Sequence, residues 1–324
     1  MRLVTFETTD GSTTWGAYVD GWVVNLVAAD GAGAGRGRFG PREPFPENLI
    51  GLLKGGPPLL DRARALLADL EDSARGGRPD FAVSASDLSW RTPLPGARMF
   101  SMRGNNPILL RLDGLPIPKH PTLTPRHPAR MVGHRQPIVI RPDDAAIAWG
   151  AEFVAVVGRW TKDVHPSEAR TAIAGYMATN DLSGSCFGTA IAPDLPVSSH
   201  SYRDEHFAGK FYGTWSMPQS VGPWLATADE VPDPYHLTVR ALENGIPCDT
   251  VTTASMLFGF EELISFLSRF MTLRPGDLIS SGALGYHVIP GRDAYAAGSS
   301  FAIDIENVGR LLNPLIDQRQ GVPG

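Results

Sequence analysis

Residues 152–159 read E-F-V-A-V-V-G-R, and residues 175–183 read G-Y-M-A-T-N-D-L-S. In the first, the apolar run Phe153 to Val157 is closed by Gly158, which predicts a strand. One carboxylate, Glu152, stands at its start. Side chains alternate across a strand, so positions 150 and 152 share a face, and position 150 is a glycine. The second stretch ends on Asn180-Asp181. Each carboxylate has a structural reading beside a functional one. Glu152 suits a strand-face carboxylate paired with an arginine, and Asp181 a turn or cap residue at a strand end.

Further short strands are predicted around these two. They lie at Pro137 to Arg141, Leu237 to Leu242, Leu278 to Ser281 and, by strict alternation, Phe301 to Glu306. A helix is predicted over about Thr253 to Phe270, where Met256, Phe260, Leu263, Ile264 and Leu267 share a face. It stops before the turn Pro275-Gly276-Asp277. His165-Pro166-Ser167-Glu168 opens a shorter helix. Upstream, Asp10-Gly11 separates two alternating runs, Leu3 to Thr8 and Ala17 to Leu26. Residues 29–46, rich in Gly, Pro and Arg, read as loop. Leu59, Leu60, Ala63, Leu66, Leu67 and Leu70 then mark one helical face, with Pro58 in the first turn and Gly76-Gly77 as the stop. The pattern predicts a small α+β domain over residues 1–95 and a mostly-β domain over 96–324.

Composition narrows the function. The 324 residues are 43% apolar and carry a net charge of -5. No long basic run gives the field a nucleic acid or anionic membrane would need. Arg111, Arg126, Arg130 and Arg135 lie close in sequence, but Pro and apolar residues interrupt them and no binding motif accompanies them. No apolar run approaches the roughly 18 residues of a membrane span. Two cysteines, Cys186 and Cys248, form no disulfide framework and suit a cytoplasmic protein. Lysine is scarce, only Lys54, Lys119, Lys162 and Lys210, so one in a polar loop draws attention.

Five stretches in order resemble the fumarylacetoacetate hydrolase superfamily. Glu152 to Arg159 is similar to the family's E-L-x-V-V-I-G-[KR], and Gly175 to Ser183 to G-Y-x-x-x-N-D-[VL]-S. Gly209 to Trp215, G-K-F-Y-G-T-W, resembles G-K-[SG]-F-[DG]-T. Gly222 to Glu230, G-P-W-L-A-T-A-D-E, resembles G-P-W-[IL]-V-T-x-D-E. Leu273 to Ile279, L-R-P-G-D-L-I, is close to T-L-x-P-G-D-[VL]-I. The resemblance implies an α+β fold with a mixed β-roll C-terminal domain behind a small N-terminal α+β domain, usually as a homodimer. It also implies a small-molecule substrate, a 2-oxo acid or 1,3-dicarbonyl compound, and a Mg²⁺ or Mn²⁺ ion held by carboxylates. A hard cation of this kind polarises adjacent oxygens and stabilises an enolate.

The chain departs from that pattern at several places. The family's Glu-x-Glu pair reads Gly150-Ala151-Glu152, so Glu152 and Asp181 are the implied metal ligands and the third is missing. The metal site is therefore expected to be weak. The segment G-L-N-Y-x-x-H-x-x-E reads Arg103-Gly104-Asn105-Asn106-Pro107-Ile108-Leu109-Leu110-Arg111-Leu112, with leucine in place of both hydrolytic residues. The family's T-G-T-P turn reads Ser281-Gly282-Ala283-Leu284, and a lysine ahead of the metal strand reads Arg126. The segment Ser183 to Ala208 is enlarged and carries His200 and His206, so it suits a lid. The implied catalytic residues are Lys210, His200 and His206, and the implied substrate-binding residues are Arg126, Tyr212 and Arg103. Without activated water, the expected reaction is non-hydrolytic: decarboxylation, tautomerisation, cyclisation or dehydration, in a specialised biosynthetic pathway. The alternatives are a metal-dependent C–C hydrolase completed by the lid, and a catalytically inert ligand-binding homologue.

Overall fold

The computed structural model describes residues 1–35, 43–112, 114–142, 147–184, 217–289 and 295–319, without the side chains of 183, 184 and 286–289. The chain opens with strands β1 (Arg2–Glu7), β2 (Thr13–Val19) and β3 (Trp22–Val24). Asp20 and Gly21 between β2 and β3 both have positive φ, 42° and 87°, the two-residue turn that matches the twist of paired strands. Helices α1 (Leu26–Gly31), α2 (Leu49–Lys54) and α3 (Gly56–Ala74) follow, then β4 (Ala82–Ser84) and β5 (Ser89–Trp90). The segment 29–46 is thus not all loop. It starts inside α1, where the Asn25 side chain accepts from the Ala28 N–H at 2.9 Å and caps the helix. Helix α3 has proline in its first turn, buries Ala63, Leu66, Leu67 and Leu70, and ends at Arg75 in the left-handed region.

The rest of the chain supplies β6 (Met99–Met102), α4 (Pro107–Leu112), β7 (Leu123–Arg126), β8 (Met131–Val132), β9 (Ile138–Ile140) and β10 (Ile147–Val157). Then come α5 (Pro166–Ala169), β11 (Ile173–Gly184), β12 (Gln219–Thr227), β13 (Thr238–Glu243) and β14 (Ile246–Thr252). Helix α6 (Phe260–Ser268) precedes β15 (Leu278–Ser280), β16 (Gly285–Ile289), β17 (Ser300–Ile305) and β18 (Gly309–Asp317). The larger sheet runs β4-β3-β2-β1-β12-β11-β10-β15-β6-β7, and the smaller one β14-β13-β17-β18-β9. The fold is α+β, mostly strands with few helices. Among the described residues, no helix is long and apolar enough to cross a membrane.

Strand β10 divides the interior. Trp149, Ala151, Phe153, Ala155 and Val157 face one core, which includes α6 and the smaller sheet; Phe153 meets Phe260 edge-on at 5.2 Å. Val154 and Val156, on the other face, join the core under α3 and β1. Polar Glu152 lies on this second face beyond Val154.

The predicted helix over Thr253 to Phe270 is shorter than its apolar pattern. Thr253–Ser255 is a 3-10 turn, and α6 begins only at Phe260. Asn105 accounts for the gap. Its backbone carbonyl accepts from the Leu257 N–H at 2.7 Å and its side-chain oxygen from the Phe258 N–H at 2.8 Å, which removes both donors from any helix. Glu262 then accepts from the Gly259 N–H at 2.8 Å and starts α6 afresh.

His134 follows β8, accepts the Leu312 N–H on Nδ1 at 3.1 Å and packs edge-on against Trp90 at 4.6 Å. Burial first, then the charge of Arg135, pulls its pKa from 6.5 to about 4. A base whose folded pKa is depressed stabilises the fold while neutral. That stability is complete above the unfolded pKa and is lost as pH falls from 6.5 towards 4. The loss is at most roughly 3 kcal/mol. Urea melts of wild type and His134→Asn at pH 7 and pH 4 should show the variant losing less stability on acidification. Equal losses in both proteins would remove His134 as the cause.

Candidate active site

Three implied site residues, Glu152, Asp181 and Arg126, come together on one face of the larger sheet. Antiparallel pairing of β10 with β11 sets Gly150 opposite Asp181 and Glu152 opposite Thr179. Opposed residues project to the same side, so Asp181 and Glu152 share the face that Gly150 leaves open. Strand β15 pairs Ser280 with Val154, and β6 pairs Ser101 with Ser280. Strand β7 in turn pairs Arg126 with Met99. Short strands from distant parts of the chain thereby point Ser280, Ser101 and Arg126 at Glu152.

Glu152 is 1% exposed. Its Oε2 accepts from the Ser101 hydroxyl at 3.2 Å and also from the Ser280 hydroxyl. Burial, and then the negative charge of Asp181, push its pKa well above the usual carboxylate range. The Ser280 hydrogen bond, Arg126 and Ser101 oppose that rise. Arg126 donates from Nη2 to Oδ1 of Asp181 at 2.8 Å, and its side chain is 4% exposed. Its Nε and Nη1, both buried, have no hydrogen-bond partner among the described residues. Ser101 and Ser280 did not stand out in the sequence. Their signal is a hydroxyl in an otherwise apolar short strand.

The floor of the site is tied down by Asn105. Its Nδ2 donates to the Ser281 carbonyl at 2.9 Å and the Phe258 carbonyl at 3.0 Å. Asn106 donates to the Leu284 carbonyl at 2.8 Å and accepts from the Ile108 N–H at 2.9 Å, which starts α4. Gly282 between these anchors has φ +75°, and a Cβ there would lie 2.4 Å from the Met102 carbonyl oxygen, so only glycine fits. Helix α4 turns Leu110 inward, leaves Leu109 half-buried and leaves Leu112 78% exposed. The position of the family's glutamate therefore faces solvent. Arg103, half-buried, makes no ion pair with either carboxylate among the described residues. Lys210, His200, His206 and Tyr212 lie outside the described residues.

The residues present do not fit a carboxylate-held divalent ion. Position 150 offers no donor, two hydroxyls occupy Oε2 of Glu152, and Asp181 is paired with the Arg126 guanidinium. A Mg²⁺ or Mn²⁺ ion prefers several oxygen ligands and no neighbouring cation. Among the described residues, no group of three His, Cys, Asp or Glu could hold a metal.

The family model for the fumarylacetoacetate (FAA) hydrolase C-terminal domain matches residues 110–316. The chain belongs to the fumarylacetoacetate hydrolase family. It is similar to the mitochondrial oxaloacetate tautomerase fahd2 of Xenopus laevis, at 27% identity over 98% of this chain and 90% of that protein. It is also similar to the 4-hydroxyphenylacetate degradation bifunctional isomerase/decarboxylase of Salmonella dublin, at 31% identity over 61% of this chain and 42% of that longer protein. Among solved structures, a maleylpyruvate hydrolase from Sphingobium sp. SYK-6, in complex with manganese(II) and pyruvate, shares the fold. Its TM-score is 0.67 at 19% identity, over 98% of this chain and 99% of that one.

The open face at Gly150 generates a prediction. Gly150→Glu places a carboxylate opposite Asp181, beside Glu152. Calorimetry with MnCl₂ should show at most millimolar affinity in the wild type. The variant should gain at least about tenfold, or about 1.4 kcal/mol. Tight Mn²⁺ binding by the wild type would mean that residues beyond this cluster complete a site.

Proposed function

We propose that the chain is an enzyme acting on a 2-oxo acid or β-dicarbonyl compound through an enolate, by tautomerisation or decarboxylation, with no attack by water. The observation that carries this reading is that one sheet face holds both a buried, serine-held carboxyl, Glu152, and a buried cation, Arg126, whose ion-pair partner is Asp181. Tautomerisation moves a proton from the enol oxygen to carbon, with no net change in atoms. Decarboxylation breaks the carbon–carbon bond to the departing CO₂ and leaves the enolate of the shortened oxo acid, which then takes a proton on carbon. Both reactions need a cation near the enolate oxygen and a group that carries the proton. Arg126 fills the first role and Glu152 the second.

Hydrolysis needs a base to activate water. Leu109 and Leu112 stand where the resemblance puts that base and its partner, and Leu112 faces solvent. The similarity to a tautomerase and to an isomerase/decarboxylase supports the non-hydrolytic reading. Lys210 is assigned to a substrate carboxylate or enolate oxygen. His200 and His206 are assigned to catalysis, and Tyr212 and Arg103 to substrate binding.

Oxaloacetate tests the reading, with enol–keto exchange followed by ultraviolet absorbance and CO₂ release measured in parallel. The wild type should accelerate one of these and leave acylpyruvates uncleaved. Glu152→Gln keeps the shape and removes the transferable proton, so turnover should fall at least about a hundredfold. Lys210→Ala should also abolish turnover, with the melting temperature unchanged. Acylpyruvate cleavage by the wild type would establish the hydrolase alternative, and full activity in Glu152→Gln would remove Glu152 from the chemistry.

A further inference from the structure

We propose that the guanidinium of Arg126 takes the place of the divalent cation, so that the site binds the carboxylate of a 2-oxo acid with no metal ion. The inference rests on the reading of the ligand as an oxo acid, and it concerns how that ligand is held.

Position and charge carry it. Glu152 and Asp181 are the carboxylates that would hold a divalent ion. Arg126 is bonded to Asp181 at 2.8 Å, and its charge also acts on Glu152. A second cation beside it would be repelled at short range in a poorly hydrated site. The absent carboxylate at Gly150 agrees with this arrangement. With one carboxylate gone and Asp181 neutralised by Arg126, the cluster has little negative charge left to attract Mg²⁺ or Mn²⁺.

The donors of Arg126 are also incompletely used. A guanidinium carries five N–H groups. Here Nη2 meets Asp181, while Nε and Nη1 are buried without a partner among the described residues. Unpartnered buried donors are costly, and a ligand carboxylate that meets them recovers the cost. Asp181 then has a second effect: as an internal anion it competes with the ligand for Arg126. This predicts a sign. A metal ligand at 181 would aid oxo-acid binding, whereas a competing counter-ion hinders it.

The test uses the full-length chain and oxalate, a planar mimic of the enolate of a 2-oxo acid, in calorimetry with EDTA or with MnCl₂. The wild type should bind oxalate in EDTA, with less than about threefold change on adding Mn²⁺. Arg126→Gln should lose at least about tenfold, and Asp181→Asn should bind oxalate more tightly than the wild type. Oxalate binding that requires Mn²⁺, unchanged binding in Arg126→Gln, or weaker binding in folded Asp181→Asn would each overturn the proposal. If either variant fails to fold, the wild-type comparison with and without Mn²⁺ decides alone. Oxaloacetate turnover in the same samples separates the two readings. Oxalate binding in EDTA without turnover removes the enzymatic reading and keeps the site. Turnover that needs Mn²⁺ keeps the enzymatic reading and removes the site.

Discussion

The register between β10 and β11 governs the rest of the molecule. Gly150 opposite Asp181 and Glu152 opposite Thr179 put the polar cluster on one face and Trp149, Ala151 and Phe153 on the other. A slip of one residue would turn Glu152 into the aromatic core against Phe260 and bring Phe153 to the site. A buried charge in an apolar core is costly, and so is an exposed aromatic face. The register is therefore enforced by the cores on both sides of the strand. The position of the carboxylates follows from packing, before any contact among the carboxylates themselves.

That order explains what could be read from the sequence. The strands around Phe153 to Val157 and Phe301 to Ile305, and the α3 face from Ala63 to Leu70, carry their periodicity openly, because each packs on a core it does not have to share. The apolar spacing of α6 continues upstream of Phe260, but the helix does not. Asn105, more than a hundred residues away in the chain, takes the Leu257 and Phe258 N–H groups and keeps that segment out of the helix. Local pattern holds no record of such a partner. The site shows the same split. Glu152, Asp181 and Arg126 could be named in advance by resemblance, but their mutual contacts could not. The serines carry no such signal, because a lone hydroxyl in a strand has no periodic signature.

The scaffold around the site is held by backbone contacts. Asn105 and Asn106 bind the carbonyls of Ser281 and Leu284, and Gly282 makes the close approach to Met102 that the turn requires. These contacts use backbone groups, so they hold the turn's shape whichever side chains it bears. Helix α4 likewise is held through the Asn106 side chain and buried Leu110, while Leu112 points to solvent.

Charge balance links these observations. Three ionised carboxylates on one buried face are untenable without a multivalent cation, because their repulsion adds to the cost of removing each from water. Removing one carboxylate at Gly150 changes the problem. Asp181 can then be balanced by a single guanidinium, and Glu152 is left buried, held by two hydroxyls, with its ionised form disfavoured. Each of these states makes the others tenable. An ionised Glu152 would call for a second cation, and an unpaired Arg126 would call for a second anion. The glycine, the arginine pair and the raised carboxyl pKa are thus one electrostatic solution. In that solution the one remaining demand, the idle donors of Arg126, is of the kind that an anionic ligand meets.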